Sequence, residues 1–143
     1  MDRRAAIRCI ANELGNAPFA WGAFDCCAVP RRLFALLHGY DPAPGLIYSS
    51  ESEAAELIEQ HGGLSALITH VIGTQPLDAD DTQLADVLHM KLPAMREPMI
   101  GVHTGQSALV PGDVGFFKAP IRYATHGWAI RCLPRLPVSF LAR

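Results

Sequence analysis

The sequence predicts a single α+β domain, in which a helical N-terminal half packs on a small antiparallel β-sheet or half-barrel. Its 143 residues are the length of one domain, and half of them are hydrophobic, which is enough for one buried core. Up to Gly73 the apolar residues recur at helical spacing. Beyond Gln83 the pattern changes to short extended runs separated by Gly and Pro, which is typical of strands.

The first helix is predicted between Asp2 and Gly15. Ile7, Ile10 and Leu14 recur at spacings of three and four residues, so they form one apolar stripe. Asp2 can accept hydrogen bonds from the free amides at the helix start, and Gly15 stands where a helix commonly ends.

The second helix is predicted from Cys26 to about Leu37, with Gly39 as its end. Pro30 would then be the fifth helical residue, where a proline removes one backbone hydrogen bond. We therefore expect either a kink or an irregular first turn that contains the two adjacent cysteines.

The third and fourth helices have clear end signals. Ser50 and Glu53 form a capping box for a helix that runs to about Gln60. A short helix is then predicted over Leu64–Ile72, and Gly73 ends it.

The second half is predicted to contain five strands and a tail. The strands are Ala85–Lys91, Met99–Thr104, Ser107–Val110, Val114–Phe117 and Trp128–Cys132. The segment Leu133–Arg143 contains two prolines, so it is expected to leave the sheet and to lie on the surface or on a partner. This gives a domain over residues 1–132 and a C-terminal arm over 133–143.

Charge and hydropathy exclude several classes of function. Twelve basic and fourteen acidic residues give a net charge of −2, which provides no electrostatic footprint for nucleic acid or anionic lipid. The apolar runs are shorter than the roughly 18 residues of a membrane span. The start Met1–Arg4 is polar and leads into an amphipathic pattern, so no secretory signal is expected.

The chain has four cysteines, and without a secretory signal we expect reduced thiols. They are Cys9, Cys26, Cys27 and Cys132. A metal or iron–sulfur site built from these four is a third hypothesis, but the sequence contains no C-x-x-C pair. No cofactor and no metal are predicted.

The stretch Pro18–Cys27 reads PFAWGAFDCC, an aromatic residue and Gly, a short spacer, and Asp-Cys at the start of a helix. It resembles the nucleophile region of the NlpC-type, papain-like cysteine peptidases. A helix N-terminus lowers the pKa of a thiol, which favours the attacking thiolate. The resemblance implies that Cys26 is the nucleophile, whereas we interpret Cys27 as a core residue.

Three neighbours of Cys26 are candidate site residues. Asp25 either caps the helix that presents Cys26 or contacts substrate, and the cap is the favoured interpretation. Phe19 and Trp21 are expected to pack beside the cysteine, and in an active enzyme they would line the peptide groove.

Further motifs resemble a phage-borne family of tail-associated proteins that is distantly related to the NlpC fold. They read GYDP from Gly39, YSSE from Tyr48 and GGL from Gly62. The resemblance implies a place in the virion tail tip, with synthesis in the cytoplasm of the bacterial host. It also implies other tail proteins as partners, namely the hub, the distal tail protein and the end of the tape measure.

A cysteine peptidase also needs an imidazole as its base, and the sequence offers two registers for it. NlpC-type enzymes have a Gly-Asp-aliphatic strand followed by a strand that begins with the histidine. In the first register, Ala85-Asp86-Val87 is the Gly-Asp strand and Met99–Val102 is the histidine strand. Met99 then stands where the histidine belongs. His103 lies on the same strand face four residues later, and it is a weaker substitute base.

In the second register, Gly112-Asp113-Val114 is the Gly-Asp strand and His126–Ile130 is the histidine strand. His126 would then be the base for Cys26. This register leaves almost no chain after His126 for the polar residue that orients the imidazole. It also leaves Ala85–Val110 as a long insertion.

The first register is favoured because it accounts for more of the chain and keeps the connections between strands short. It predicts a pseudoenzyme: a tail-tip structural or assembly protein on an NlpC-like fold without a complete catalytic set. The second register predicts an active cysteine endopeptidase or amidase that cleaves peptidoglycan stem peptides, with Cys26 as nucleophile and His126 as base.

Overall fold

The structure is a computed structural model, and it describes residues 1–130. These residues form four helices in the first half and a six-stranded antiparallel sheet in the second, which confirms the predicted α+β class. The helices are α1 (Arg3–Leu14), α2 (Ala28–His38), α3 (Glu51–His61) and α4 (Leu64–Ile72). The strands are β1 (Leu77–Asp78), β2 (Val87–Met90), β3 (Met99–His103), β4 (Ala108–Pro111), β5 (Phe116–Ala119) and β6 (Ala124–Trp128). The predicted arm over 133–143 and Cys132 lie outside the described residues.

Three of the helices begin and end where the sequence signals stand. The Asp2 carboxylate accepts a hydrogen bond from the Ala5 amide at 2.7 Å at the start of α1, and the Ser50 hydroxyl accepts one from the Glu53 amide at 3.2 Å at the start of α3. Gly15 and Gly73 follow the last residues of α1 and α4.

Helix α2 begins at Ala28, two residues later than predicted. Pro30 is therefore the third helical residue, in the first turn, where its missing amide leaves no hydrogen bond unmade. Cys26 and Cys27 lie in the turn that precedes the helix. Of the two expectations, a kink or an irregular turn containing the cysteines, the structure has the irregular turn.

The strands run in the order β1-β6-β2-β3-β4-β5. The prediction for the last strand was wrong by four residues, since β6 begins at Ala124 and ends at Trp128. Its first three residues, Ala124-Thr125-His126, provide too few apolar side chains for a sequence pattern to reveal a strand. Strand β1 lies in the acidic segment that was interpreted as a linker, and it pairs with β6.

The sheet is buried on both faces. One face packs against the helices through residues that include Val87, Ile100 and Trp128. The other face has its own apolar cluster, which includes Leu88, Met90 and Val110. Side chains of the central strands β2, β3 and β4 are therefore buried or half-buried on either face, whereas Lys118 of β5 and Thr125 of β6 are exposed.

A buried ion pair joins α1 to the start of β2. Asp86 is completely buried, and its carboxylate receives the Arg3 guanidinium at 3.0 Å and the Gln83 amide at 2.9 Å. Arg3 also donates to the main-chain oxygens of Leu84 and Ile130. The Arg3–Asp86 pair thus ties the helical half to the beginning and the end of the sheet.

Candidate functional site: the cysteine turn

The turn before α2 is organised by a buried carboxylate. Asp25 is 1% exposed. One of its oxygens accepts hydrogen bonds from the amides of Cys27 (2.9 Å) and Ala28 (2.8 Å) and from the hydroxyl of Tyr48 (2.8 Å), and the other accepts from the amide of Gly22 (2.7 Å). Asp25 therefore binds the first amide of α2 and the amide just before it, and it holds the loop against Tyr48.

The loop needs glycine at position 22. Gly22 has a φ of 84°, and a Cβ atom there would lie 2.2 Å from the carbonyl oxygen of Tyr48. Trp21 precedes it and makes an edge-to-face contact with Phe19, with ring centroids 4.9 Å apart. Each of these two aromatic side chains is 37% exposed.

A small cavity of about 30 Å³ lies beside the two cysteines. It is lined mainly by apolar side chains of the turn and of helices α3 and α4: Trp21, Cys26, Cys27, Ala54, Leu57 and Leu64. Its volume admits about one water molecule. Trp21 and Cys26 thus line the same cavity.

The surroundings of Cys26 favour the protonated thiol. Burial raises the pKa of Cys26, and the negative charge of Asp25 raises it further, while a hydrogen bond from the main chain of Ile100 lowers it in part. The pKa of Cys27 is raised to about 12, chiefly by burial and then by the charge of Asp25. An activated nucleophile needs the opposite shift.

The contact with Ile100 places Cys26 at the start of β3. This is the strand to which the first register assigns the histidine, and residue 99 is Met, partly buried. His103 lies at the other end of β3, about 10 Å along the strand from Ile100. Its Nδ1 accepts a hydrogen bond from the Gly105 amide at 2.9 Å, and its side chain is 7% exposed.

His126 lies two strands away from this contact. Across the sheet, His126 of β6 is in register with His89 of β2, and His89 is in register with Ile100 of β3. Two strand spacings amount to about 10 Å, whereas a base must come within about 3 Å of its proton. The Nε2 atom of His126 is 2.9 Å from the hydroxyl of Ser65.

The structure therefore brings Asp25, Cys26 and Trp21 to one cavity, with Phe19 in contact with Trp21, and it places His103 and His126 elsewhere. The strand order agrees with the first register, because β2 and β3 are adjacent. The second register requires the strand after Gly112 to pair with the histidine strand, and this is wrong: β5 forms the edge of the sheet, while β6 lies between β1 and β2.

Ala85 supports the same assignment. Its φ of 67° is a left-handed conformation that glycine adopts readily, and it is the position that the first register aligns with the glycine of the Gly-Asp motif. Here a non-glycine residue adopts this conformation immediately before the buried Asp86.

Two residues of this site were not singled out from the sequence. Tyr48 was quoted only as part of a motif, although a buried tyrosine near an aspartate needs a hydrogen-bond partner. Ile100 acts through its main chain, for which side-chain patterns give no signal. Within residues 1–130 no three His, Cys, Asp or Glu side chains are grouped closely enough to hold a metal ion. The hypothetical four-cysteine site includes Cys132, which lies outside that range.

Comparisons with known proteins agree with this architecture. The family described as "Domain of unknown function (DUF6950)" matches residues 1–130. The solved structure "Crystal structure of NlpC/p60 domain of peptidoglycan hydrolase SagA" is similar, with a TM-score of 0.55 at 14% identity over 88% of this chain and 97% of that chain. Among proteins with curated function, none matches the sequence. Within residues 1–130, no helix is long and apolar enough to cross a membrane.

Proposed function

We propose that this protein is a structural or assembly protein of a phage tail tip without a complete catalytic set. The premise is that the chain belongs to the DUF6950 family and has an NlpC/p60-like fold. The observation on which this proposal depends is the environment of Cys26. Its sulfur interacts with the main chain of Ile100, at the strand where an NlpC-type enzyme has its histidine. A cysteine with a raised pKa is a weak nucleophile at neutral pH.

The assignment to a phage tail rests on the motifs that follow Gly39, Tyr48 and Gly62. Exposed apolar side chains near the cysteine turn suit a docking role: Ile47 is 82% exposed, and Phe19 and Trp21 are each 37% exposed. The proposed partners are the hub, the distal tail protein and the end of the tape measure, and the proposed location is the virion tail.

The first test is the rate of iodoacetamide alkylation at each cysteine as a function of pH, measured by mass spectrometry. We expect Cys26 to react slowly at pH 7 and to accelerate only above its reference pKa of about 8.5. Cys27 serves as an internal control, and it should react later still. Rapid alkylation of Cys26 below pH 7 would reveal an activated thiolate and refute the non-catalytic assignment.

The second test addresses the partner. Phage with the double substitution Trp21→Ser and Ile47→Ser should assemble fewer complete tails, while Ile47→Ser alone should have a smaller effect. Virions analysed by mass spectrometry should contain the wild-type chain at a fixed ratio to the hub. Normal infectivity of the double variant, together with absence of the chain from purified virions, would contradict a tail-tip role.

An active cysteine endopeptidase or amidase, with peptidoglycan stem peptides as substrate, remains the alternative function. One observation favours it: the main chains of Ile100 and of Cys26 lower the pKa of the Cys26 thiol, and main-chain amides beside a nucleophile can also stabilise an oxyanion. This alternative predicts cleavage of stem peptides that Cys26→Ala abolishes. Cys27→Ala should leave the rate unchanged.

A further inference from the structure

We propose that Ser65 and His126 form a second reactive site, a serine–histidine pair that is acylated by carboxylic esters independently of Cys26. Ser65 is the second residue of α4, and its Oγ is 2.9 Å from Nε2 of His126 on β6. Both side chains are partly buried. A hydroxyl in hydrogen-bond contact with an imidazole is the arrangement that activates a serine nucleophile.

The protonation state of the imidazole follows from its other contacts. The Thr125 hydroxyl lies 2.9 Å from Nδ1 of His126 and 2.8 Å from Nδ1 of His89, and it donates its hydrogen to the main-chain oxygen of His89. A hydroxyl has one hydrogen, so when Thr125 donates it to the His89 carbonyl, both Nδ1 atoms donate to Thr125. In this tautomer, which the proposed reaction needs, Nε2 of His126 has a free lone pair and accepts a hydrogen bond from the hydroxyl of Ser65.

The ring of His126 is held in this orientation by its neighbours. His89 stacks on it with centroids 4.4 Å apart and an angle of 15° between the planes. Trp128, which is fully buried, contacts it at 5.1 Å and donates to the hydroxyl of Thr69 at 2.9 Å. Thr69 donates in turn to the main-chain oxygen of Ser65 at 3.0 Å. The same contacts thus fix the base and the nucleophile relative to each other.

The start of α4 provides donors for a developing oxyanion. Leu67 donates its amide to the main-chain oxygen of Gly63 at 3.0 Å, so Leu67 is the first residue bonded within the helix. The amides of Leu64, Ser65 and Ala66 precede it, and they have no acceptor within the helix. These three amides lie at and beside Ser65, so they can stabilise the negative charge that develops on the carbonyl oxygen of the ester.

The proposed reaction is an ordinary acyl transfer. Oγ of Ser65 attacks the ester carbonyl carbon while its proton passes to Nε2 of His126. The carbon–oxygen bond to the alcohol breaks, and the alcohol leaves with that proton. Water then attacks the acyl-serine with the same base, which releases the carboxylic acid and restores the hydroxyl of Ser65.

The test is covalent labelling by a fluorophosphonate probe, which forms a phosphonyl-serine with loss of hydrogen fluoride. Peptide mapping should locate the label on Ser65, and Ser65→Ala should abolish it. His126→Gln should slow labelling by about a hundredfold, which is the typical contribution of a general base. His61→Gln is the matched control, because His61 bonds the main chain of Leu57 and takes no part in the pair.

A second variant keeps the proposal testable if His126→Gln fails to fold. In Ser65→Cys, the sulfur introduced at position 65 should react with iodoacetamide at pH 7 at least tenfold faster than Cys26 does, because only the former lies beside an imidazole. Absence of any phosphonyl adduct on Ser65 in the folded wild-type chain would overturn the proposal. Equal labelling of wild type and a folded His126→Gln variant would also overturn it.

Discussion

The starts of α2 and α4 present two nucleophilic side chains in opposite circumstances. Cys26, just before α2, has a carboxylate as its neighbour and a main-chain contact at β3. Ser65, in the first turn of α4, has the imidazole of His126 at 2.9 Å. The comparison shows that a position at a helix N-terminus does not by itself define a catalytic group. The neighbouring side chain decides whether a proton can be removed.

The electrostatic surroundings of the two helix starts increase the difference in reactivity between Cys26 and Ser65. The buried Asp25 raises the pKa of Cys26, so the capping that stabilises α2 works against the thiolate. Burial lowers the pKa of His126, which favours the neutral imidazole that can accept a proton. One region is therefore built for stability, and the other has the protonation state that a base requires.

The largest expected effect comes from removing the carboxylate of the cysteine turn. Asp25→Ala leaves the amides of Gly22, Cys27 and Ala28 and the hydroxyl of Tyr48 without their buried acceptor. Each unsatisfied buried group costs about 1–3 kcal/mol, so we expect a loss of roughly 3 kcal/mol or more in the free energy of unfolding, measured by urea denaturation. Tyr48→Phe removes one of these hydrogen bonds and should cost about 1 kcal/mol. Equal effects of the two substitutions would contradict this account.

A smaller effect is expected from an imidazole at residue 99. The Met99 side chain packs against the Leu88 and Met90 cluster, on the face of the sheet opposite to Cys26. A positive charge lowers a thiol pKa strongly only within about 4–6 Å, so Met99→His should change the alkylation rate of Cys26 at pH 7 by no more than about twofold. Met99→Gln is the control of similar size. A tenfold faster reaction in Met99→His alone would show that residue 99 can supply a base to Cys26.

The smallest effect concerns the stacked histidines. Burial lowers the pKa of His126 and of His89, and for His89 the charge of His126 lowers it further. The unfolded chain therefore takes up protons first, and the stability that these groups contribute is present above about pH 6.5 and is lost as the pH falls from there through the lowered pKa values of the folded chain. His89→Gln should reduce the loss between pH 7.5 and 5 by about 0.5 kcal/mol, the scale of a like-charge cross-strand pair. Thermal melts between pH 7.5 and 5 measure this loss of stability, with His70→Gln as a control. The same dependence of stability on pH in wild type and His89→Gln would refute the prediction.

The sequence determined the elements whose signals are local. Asp2, Ser50 and Gly73 mark helix ends because caps and left-handed residues depend on a few neighbouring atoms, and these ends are where they were predicted. The adjacency of β2 and β3 followed from the first register and was confirmed. The start of α2 was missed because Asp25 binds amides two and three residues later, which moves the first helical turn beyond the cysteines.

Only the tertiary structure decided the partners of the reactive groups. The second register paired His126 with Cys26, but β2 lies between β6 and the strand β3 that Cys26 adjoins, and the Nε2 atom of His126 contacts Ser65, 61 positions earlier. Strand order is set by which faces bury the most apolar surface, a property of the whole chain rather than of any short segment. The same holds for Ile100, whose contact with Cys26 involves its main chain. Local chemistry is therefore present in the sequence of this protein, while the pairing of a nucleophile with a base arises only when distant strands and helices meet.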